Sequence, residues 1–262
     1  SKQSQPRDSF IFERGDYYDG VAAYFHTGGT TGAPKLAQHT HRAQAVNICQ
    51  MQMTGPDLLN DSDFSNRTVI LCGLPLFHVN AVCVSALNAV MSGGELVLAG
   101  PEGFRNPATM MDFWGLIERW AITFFAAVPP IYAALVRHDI EKYDVSSLIS
   151  CSSGAAPIPV SLFKEFRSRT GIDITEGYGM TEATCNISVN PIEGERKIGS
   201  VGIPLPYTKI KIIKENARGS LLECKISEAG EICIANPGVV AGNTYTDPEK
   251  NKNLYYKKDY FR

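Results

Sequence analysis

The stretch YFHTGGTTGAPK, residues 24–35, decides how the rest of the chain is interpreted. The apolar run at residues 21–26 predicts a buried strand that leads into a loop. In that loop, glycines let backbone N–H groups approach an anion, while threonine hydroxyls and a lysine add the donors and positive charge that polyphosphate recognition requires. The residues concerned are Thr27, Gly28, Gly29, Thr30, Thr31, Gly32 and Lys35. Because Lys35 does not directly follow Gly32, the loop differs from the Walker pattern.

Beyond this loop, short apolar runs alternate with segments of helical character. Strands are predicted at residues 68–72, 95–99, 122–126, 148–152 and 172–175. Helices are predicted at residues 40–53, 81–91, 107–120, 130–138 and 160–170. Continuous apolar strands that alternate with helices indicate a mostly parallel sheet with helices on both faces, so the fold class is α/β.

The pattern changes after residue 206. KIKII (209–213), LLECKI (221–226) and GEICIA (230–235) are short strand-like runs joined by polar turns, and helical periodicity disappears. Such runs predict a small antiparallel β subdomain. The expected organisation is therefore an α/β subdomain over residues 1–206 and an antiparallel β subdomain over residues 207–262.

The composition excludes several classes of protein. With 44% hydrophobic and 20% charged residues in 262, the chain is globular and not disordered. Its net charge of −2 argues against a nucleic-acid partner or an acidic membrane surface. The start of the chain is polar, and no apolar segment reaches the roughly 20 residues of a membrane-spanning helix. These features predict a cytoplasmic protein without a transmembrane segment.

Cysteines and histidines give no sign of a metal centre. The seven cysteines are odd in number and scattered, and no two have CxxC spacing, so buried free thiols in a reducing compartment are expected. His39 and His41 flank a threonine and lack further ligands at the usual spacing.

The 24–35 stretch resembles the phosphate-loop signature of the adenylate-forming superfamily, which includes acyl-CoA synthetases, adenylation domains and luciferases. Two positions depart from that signature: Gly28 stands where serine is usual, and Leu36 where glycine is usual. A second stretch, EGYGMTE at residues 176–182, is similar to the family motif (E/Q)xYGxTE over its full length. The resemblance implies the fold of the acyl-CoA synthetases and luciferases.

Shorter motifs extend the resemblance over nearly the whole chain. LPLFH (74–78) is similar to the PLxH segment, and SGAAP (153–157) to the turn that lines the adenine site. GSVG (199–202) with Pro204, and Gly230 with Glu231, resemble later structural motifs. The chain stops at Arg262, where the family continues into TGD and a lysine-bearing domain. The resemblance therefore implies a central fragment of the large N-terminal domain, inactive alone and prone to self-association through exposed apolar surface.

The resemblance also implies a role for each candidate residue. The phosphates of ATP would be held by Thr27, Gly29, Thr30, Thr31, Gly32 and Lys35. The adenine would be framed by Tyr178, Gly154, Ala155 and Ala156. Thr181 would donate to the α-phosphate, and Glu182 would ligate Mg²⁺. His78 could be a core residue beside Phe77, but the resemblance favours a place near the substrate carboxylate. The catalytic set is thus Lys35, His78, Thr181 and Glu182.

The implied activity is that of an ATP- and Mg²⁺-dependent acyl-CoA synthetase. A carboxylic acid, expected to be hydrophobic, would react with ATP to give acyl-adenylate and pyrophosphate, and CoA would then accept the acyl group. Apolar residues of the predicted 81–91 helix would line an acyl tunnel, although core packing predicts the same pattern. Two alternatives stay open: an acyl-AMP ligase or an adenylation domain that loads a carrier-protein thiol, and a nucleotide-binding module without catalysis.

Overall fold

The computed structural model describes residues 16–27, 35–54, 67–192, 194–257 and 259–262. Within these residues the chain forms a two-stranded hairpin, a seven-stranded central sheet and a five-stranded antiparallel sheet. Nowhere in the described part does a helix have both the length and the apolar character needed to cross a membrane.

The hairpin consists of β1 (Val21–Thr27) and β2 (Lys35–Thr40), which pair in antiparallel fashion and place Thr27 opposite Lys35. The prediction of a buried strand at residues 21–26 is wrong about burial, because Phe25 is 7% exposed but its neighbour Tyr24 is 56% exposed. A hairpin with one covered face buries only every second residue. Strand β2 was not predicted, since it follows the glycine-rich loop without an apolar run.

The central sheet lies in the middle of the molecule. Its strands are β3 (Val69–Cys72), β4 (Glu95–Leu98), β5 (Phe124–Ala127), β6 (Ser150–Ser153), β7 (Ile174–Gly179), β8 (Asn186–Val189) and β9 (Ile203–Pro204). The spatial order is β4-β3-β5-β6-β7-β8-β9. The first five strands are parallel, and β8 and β9 continue the sheet in antiparallel fashion. The predicted mostly parallel sheet is confirmed.

Helices pack on both faces of the central sheet. The α-helices are α1 (His41–Gln52), α2 (Asn88–Met91), α3 (Pro107–Met111), α4 (Phe113–Trp120), α5 (Pro129–Leu135) and α6 (Val160–Thr170). The helix predicted at 107–120 is two helices, divided at Asp112, a residue type of low helix propensity. The helix predicted at 81–91 is a π-helix, Asn80–Leu87, followed by α2. The sequence of an apolar run does not distinguish these helix types.

Alternate residues of β5 show how the two faces differ. Phe125 and Ala127 join a large cluster with Trp114 and other side chains of α4, α5 and α6. On the opposite face, Ala126 packs with Cys83 of the π-helix. The aromatic rings of the first cluster meet edge to face, for example Phe113 and Phe125, whose centroids lie 5.0 Å apart. The larger core therefore lies on one face of the sheet.

The five-stranded sheet follows the central sheet in the chain. It consists of β10 (Lys209–Glu215), β11 (Leu221–Glu223), β12 (Glu231–Ala235), β13 (Tyr255–Tyr256) and β14 (Tyr260–Phe261), in the order β11-β10-β12-β14-β13. All its pairs are antiparallel, as the sequence predicted. Ile234 and Phe261 pack with Ala183 and Ile187, so this sheet contacts the region around β8. A domain division at residue 206 stays a prediction.

All seven cysteines are free, but they are not all buried. Cys49 is exposed because it lies on the outer side of α1, and Cys224 is partly exposed. The expectation of buried thiols is therefore wrong for these two. Burial raises the pKa of Cys151 to about 12, which keeps its thiol protonated and unreactive at neutral pH.

Two tryptophans of α4 provide a test of the core. Trp114 is 1% exposed and its indole N–H donates to the Leu135 carbonyl, whereas Trp120 is 50% exposed. We expect Trp114→Ala to lower the free energy of unfolding by about 3–5 kcal/mol, because it leaves a large cavity. The control Trp120→Ala should cost about 1 kcal/mol or less. Urea unfolding measures both values, and equal costs would contradict this assignment of the core.

Candidate active site

A cleft of about 280 Å³ opens at the carboxyl ends of the parallel strands. The chain passes from β3 to β4 on one side of β3, and β5 then pairs with β3 on its other side. The cleft lies at this change of direction in the strand order. In open α/β sheets, ligands bind at such switch points. The cleft is lined by segments that follow four strands: His78 after β3, Val128 after β5, Gly154 and Ala155 after β6, and Thr181 after β7. The structure thus brings four of the candidate residues together.

His78 lies at the mouth of this cleft, where it is exposed, in an aromatic and basic environment. Its ring centroid is 4.7 Å from Phe77 and 5.9 Å from His26, and Arg105 stacks on Phe77 at 5.7 Å. Desolvation is the largest cause that lowers the pKa of His78, followed by the electrostatic influence of the neighbouring His26 ring and of the Arg105 guanidinium. The imidazole is therefore neutral at pH 7, and its basic neighbours favour an anion at the mouth.

The turn after β6 forms one wall of the cleft. Gly154 and Ala155 line it, and Ala155 has a left-handed φ of 67°; Ala156 is exposed and lies outside the lining. Glu176, for which the motif predicted no role of its own, supports this turn. Its buried carboxylate accepts hydrogen bonds from the backbone N–H groups of Ile158 (3.2 Å) and Gly199 (2.9 Å).

Strand β7 divides the candidate residues between its two sides. Gly177 and Gly179 line the cleft, but Tyr178 points to the other side, where it packs against the cluster formed with the five-stranded sheet. This follows from the two-residue period of a strand. Tyr178 therefore does not share the cleft with Gly154 and Ala155, and the predicted adenine frame stays a prediction.

A second group of candidates gathers at the base of the hairpin. Thr27 ends β1 and Lys35 begins β2, so the two residues face each other where the glycine-rich loop leaves and returns. The Lys35 ammonium lies 4.9 Å from the ring centroid of Tyr245, and the Tyr245 hydroxyl donates to Oε1 of Glu182 at 2.6 Å. Gly29, Thr30, Thr31 and Gly32 lie outside the described residues.

Tyr245 is a member of this group that the sequence did not reveal. It is 5% exposed, although it belongs to a connection after β12 and far along the chain from both motifs. Burial, and then the hydrogen bond to the Glu182 carboxylate, raise the pKa of Tyr245 well above its usual range. The phenol therefore stays protonated and keeps donating to Glu182. No local pattern marks this tyrosine, because its partners are remote in sequence.

His39 is another residue for which the sequence predicted no role. Its ring is fully buried against Phe25, with ring centroids 4.8 Å apart, and its Nε2 lies 2.7 Å from the Thr181 carbonyl oxygen. Because a carbonyl only accepts, Nε2 must carry the proton. Burial is the largest influence on the pKa of His39 and lowers it, which favours this neutral form. His39 thus ties the hairpin to the turn that carries Thr181 and Glu182.

The donor set around Glu182 fits a magnesium ion that is bound together with phosphates. The described part of the chain contains no cluster of three or more His, Cys, Asp or Glu side chains able to hold a metal alone. Mg²⁺ commonly uses one or two carboxylates with water and substrate phosphates. The Glu182 carboxylate, which accepts from the Tyr245 hydroxyl, suits this mode better than a protein-only metal site.

Comparison with known proteins gives a family model and related proteins that match most of the chain. A family model described as "AMP-binding enzyme" matches residues 14–243. The chain is 46% identical over 240 residues to the marinolic acid–CoA ligase of Pseudoalteromonas sp. (strain SANK 73390), covering 91% of this chain and 36% of that protein. It is 30% identical over 218 residues to a long-chain-fatty-acid–CoA ligase of Salmonella typhimurium, covering 83% of this chain and 36% of the relative.

Solved structures agree with the fold. ATP-bound MatB from Rhodopseudomonas palustris superposes with a TM-score of 0.75 at 27% identity, covering 93% of this chain and 45% of that one. O-succinylbenzoate coenzyme A synthetase (MenE) from Bacillus subtilis, in complex with ATP and magnesium ion, gives a TM-score of 0.75 at 26% identity, with 94% and 47% covered. The chain thus spans 36% of the length of both curated relatives described above.

The close backbone approach in the turn after β7 can be tested by substitution of Gly179. A Cβ at Gly179 would lie 2.1 Å from the Cys185 carbonyl oxygen, whereas a Cβ at Gly154 would meet only the Gly177 oxygen at 3.8 Å. We expect Gly179→Ala to lower the free energy of unfolding by about 1–3 kcal/mol through overpacking. Gly154→Ala should change it by about 1 kcal/mol or less. Urea unfolding of the pair measures both, and an equal response would contradict the close approach.

Proposed function

The chain belongs to the AMP-binding enzyme family, and on this basis we propose that it forms the nucleotide- and acid-binding core of an ATP-dependent acyl-CoA synthetase. The observation that carries the proposal is the convergence of the two motifs. Their residues Lys35 and Glu182 are both held by Tyr245, next to a cleft lined by Thr181 and His78. The CoA ligases among its relatives support this choice of reaction.

In the proposed first step, a carboxylate oxygen of the acid attacks the α-phosphorus of ATP, and pyrophosphate leaves. Thr27 and Lys35, at the two ends of the glycine-rich loop, hold the phosphates that depart. Thr181 donates its hydroxyl to the α-phosphate, and Glu182 holds Mg²⁺, which neutralises phosphate charge when bound. Such a reaction depends on positioning and electrostatic stabilisation, since no protein group must form a covalent bond.

The acid occupies the cleft on the other side of β7. Its carboxylate lies at the mouth, where neutral His78 can donate a hydrogen bond and Arg105 supplies positive charge. Leu74, Val128 and Met180 make the neighbouring wall apolar and exclude water from the activated acyl group. In the second step the thiolate of CoA attacks the acyl carbon and AMP leaves.

The alternative within the family is an adenylation domain, in which the thiol of a carrier protein, not of CoA, accepts the acyl group. The first half-reaction is the same, so the residues described above serve both. Incubation of the whole protein with ATP, a panel of carboxylic acids and either CoA or a carrier protein separates the two. Thioester formed on CoA supports the proposal, and thioester formed only on the carrier supports the alternative.

Glu182→Gln tests the role of the carboxylate. We expect acid-dependent pyrophosphate release by the whole protein to fall at least 100-fold, in line with the loss of one major electrostatic contributor. The free energy of unfolding should change little, because the amide still accepts from Tyr245. The control is Glu165→Gln on the exposed side of α6, which should release pyrophosphate at the original rate. Unchanged release in Glu182→Gln would overturn this assignment.

Tyr245→Phe tests how Glu182 is positioned. The substitution removes the hydroxyl and keeps the ring, so the Lys35 contact survives. A hydrogen bond to a charged group contributes about 1.5 kcal/mol, and we therefore expect ATP affinity in the presence of Mg²⁺ to fall about tenfold.

The measurement is calorimetry of ATP binding with Mg²⁺ and with EDTA. Without the metal, the affinity of Tyr245→Phe should match the unmodified protein. The control is Tyr207→Phe, since Tyr207 is 80% exposed. If the two variants bind ATP alike under both conditions, Tyr245 does not position Glu182 for the metal.

A further inference from the structure

Strand β1 turns two neighbouring side chains, Thr27 and His26, to opposite faces of the hairpin. Thr27 is buried and pairs with Lys35, whose ammonium lies against the Tyr245 ring. His26 is exposed and pairs with Leu36 on the other face. Successive residues of a strand point to opposite faces, and residues paired across two strands share a face. The last two residues of β1 therefore reach different parts of the candidate site.

His26 stands beside the mouth of the cleft, next to the lining residue His78. The centroids of the two imidazole rings are 5.9 Å apart, and the rings are inclined at 53°. His26 also stacks on the ring of Phe77, with centroids 5.9 Å apart and an angle of 27° between the planes. The Arg105 guanidinium lies 5.7 Å from the centroid of the same Phe77 ring. Basic side chains from three separate segments thus gather around one aromatic ring, and we call His26, His78 and Arg105 the basic cluster.

The backbone holds the members of the basic cluster in place. Arg105 follows Phe104, which is buried in the large core and whose N–H donates to the Gly73 carbonyl at 2.8 Å. The His78 N–H donates to the Pro75 carbonyl at 2.9 Å in the turn that follows β3. His26 belongs to β1, whose pairing with β2 includes the residues on either side of it. The cluster is therefore built on ordered segments.

The charge around the cluster favours an anion. Both neighbouring side chains that influence the pKa of His78 lower it, and no carboxylate of the described residues raises it. None of the salt bridges between described side chains includes Arg105. A group of basic side chains without an acidic partner attracts an anion from solution, because opposite charge stabilises it.

A second cavity, of about 140 Å³, shows where the remainder of a bound acid has room. It continues from the cleft along the same face of the central sheet, and Val84 and Val189 line both spaces. His78 lines only the cleft, whereas Ile70 and Phe124 line only the cavity. An acid whose apolar part enters this cavity keeps its carboxylate at the mouth, where the basic cluster lies.

We propose that His26 is a further residue that binds the acid, and that its imidazole and that of His78 each donate a hydrogen bond to the same carboxylate. This inference rests on the proposed function. A carboxylate has two acceptor oxygens, and a bond of about 2.8 Å to each suits two inclined rings at this separation. Two donors also fix the orientation of the carboxylate, which a single donor leaves free to rotate, and orientation contributes to attack on the α-phosphorus.

Two substitutions of His26 separate binding of the carboxylate from stacking on Phe77. His26→Phe keeps an aromatic ring against Phe77 but removes the N–H donor, whereas His26→Gln keeps a donor and removes the ring. In pyrophosphate release by the whole protein, we expect His26→Phe to raise KM for the acid about tenfold, as loss of a hydrogen bond to a charged group predicts. KM for ATP and kcat should change little, because the lost contact is made to the bound acid. His26→Gln should keep most of the affinity for the acid.

The control is His41→Phe, a substitution of the same kind at an exposed histidine at the start of α1, which should leave KM for the acid unchanged. An unchanged KM in His26→Phe, or a loss only in His26→Gln, would overturn the inference and leave His26 as a stacking partner of Phe77. The unfolding midpoints of all variants confirm that the constants are taken from folded protein.

Straight-chain acids of different lengths locate the contact along the substrate. All of them share the carboxylate, so His26→Phe should weaken each by the same factor. A loss that grows with the length of the chain would place His26 against the apolar part of the acid and would contradict a bond to the carboxylate.

Direct binding of the same acids, measured by calorimetry, separates this inference from the proposed function. If acids bind and His26→Phe weakens them about tenfold but no pyrophosphate is released, the inference stands and the proposed reaction fails. If pyrophosphate is released and His26→Phe behaves as the unmodified protein, the reaction stands and the inference fails. If no acid of the panel binds or reacts, both are overturned.

Discussion

The position of the candidate residues depends on the close backbone approach between Gly179, at the end of β7, and Cys185, just before β8. The Met180 N–H donates to the Cys185 carbonyl at 3.0 Å, and only a residue without a side chain fits beside that oxygen at position 179. The chain can then reverse from the last parallel strand into an antiparallel one. Thr181 and Glu182 lie within this reversal, and the hairpin and the segment before β13 reach it through His39 and Tyr245.

The two faces of the central sheet serve different purposes. One face is packed with aromatic rings from α4, α5 and α6 that contact one another, and close packing of this kind makes protein interiors rigid. The Tyr132 hydroxyl extends this order into β6 by donating to the Ser152 carbonyl at 2.7 Å. The opposite face contains the cleft and the cavity. Because the packed face already fixes the strands, the other face can remain partly hollow without losing the register of the sheet.

The sequence predicted the five parallel strands of the central sheet, since they are local apolar runs between helices and need no distant information. Strands β8 and β9, which continue the sheet in antiparallel fashion, were not predicted. The resemblance to the adenylate-forming superfamily is also confirmed, because its motifs are contiguous. The prediction that the strand at residues 21–26 is buried was wrong, because burial depends on which other element of the fold covers the strand. Tyr245 and His39 were missed for a related reason: each acts on residues far away in sequence. The roles assigned to Tyr178, Glu182 and the glycine-rich loop stay predictions.

Thr181 and Glu182 are neighbours in the chain, but they face opposite sides of the turn between β7 and β8. Thr181 lines the cleft, whereas the Glu182 carboxylate turns toward Tyr245 and the base of the hairpin. The proposed reaction joins an acid to a phosphate, so the two substrates must approach from different directions and meet at one point. A reversal held on both sides meets that requirement, because one short turn then separates the acid from the triphosphate while both remain within reach. In the proposed reaction, the backbone around Gly179, more than any single charged group, therefore sets where the acid and the phosphate meet.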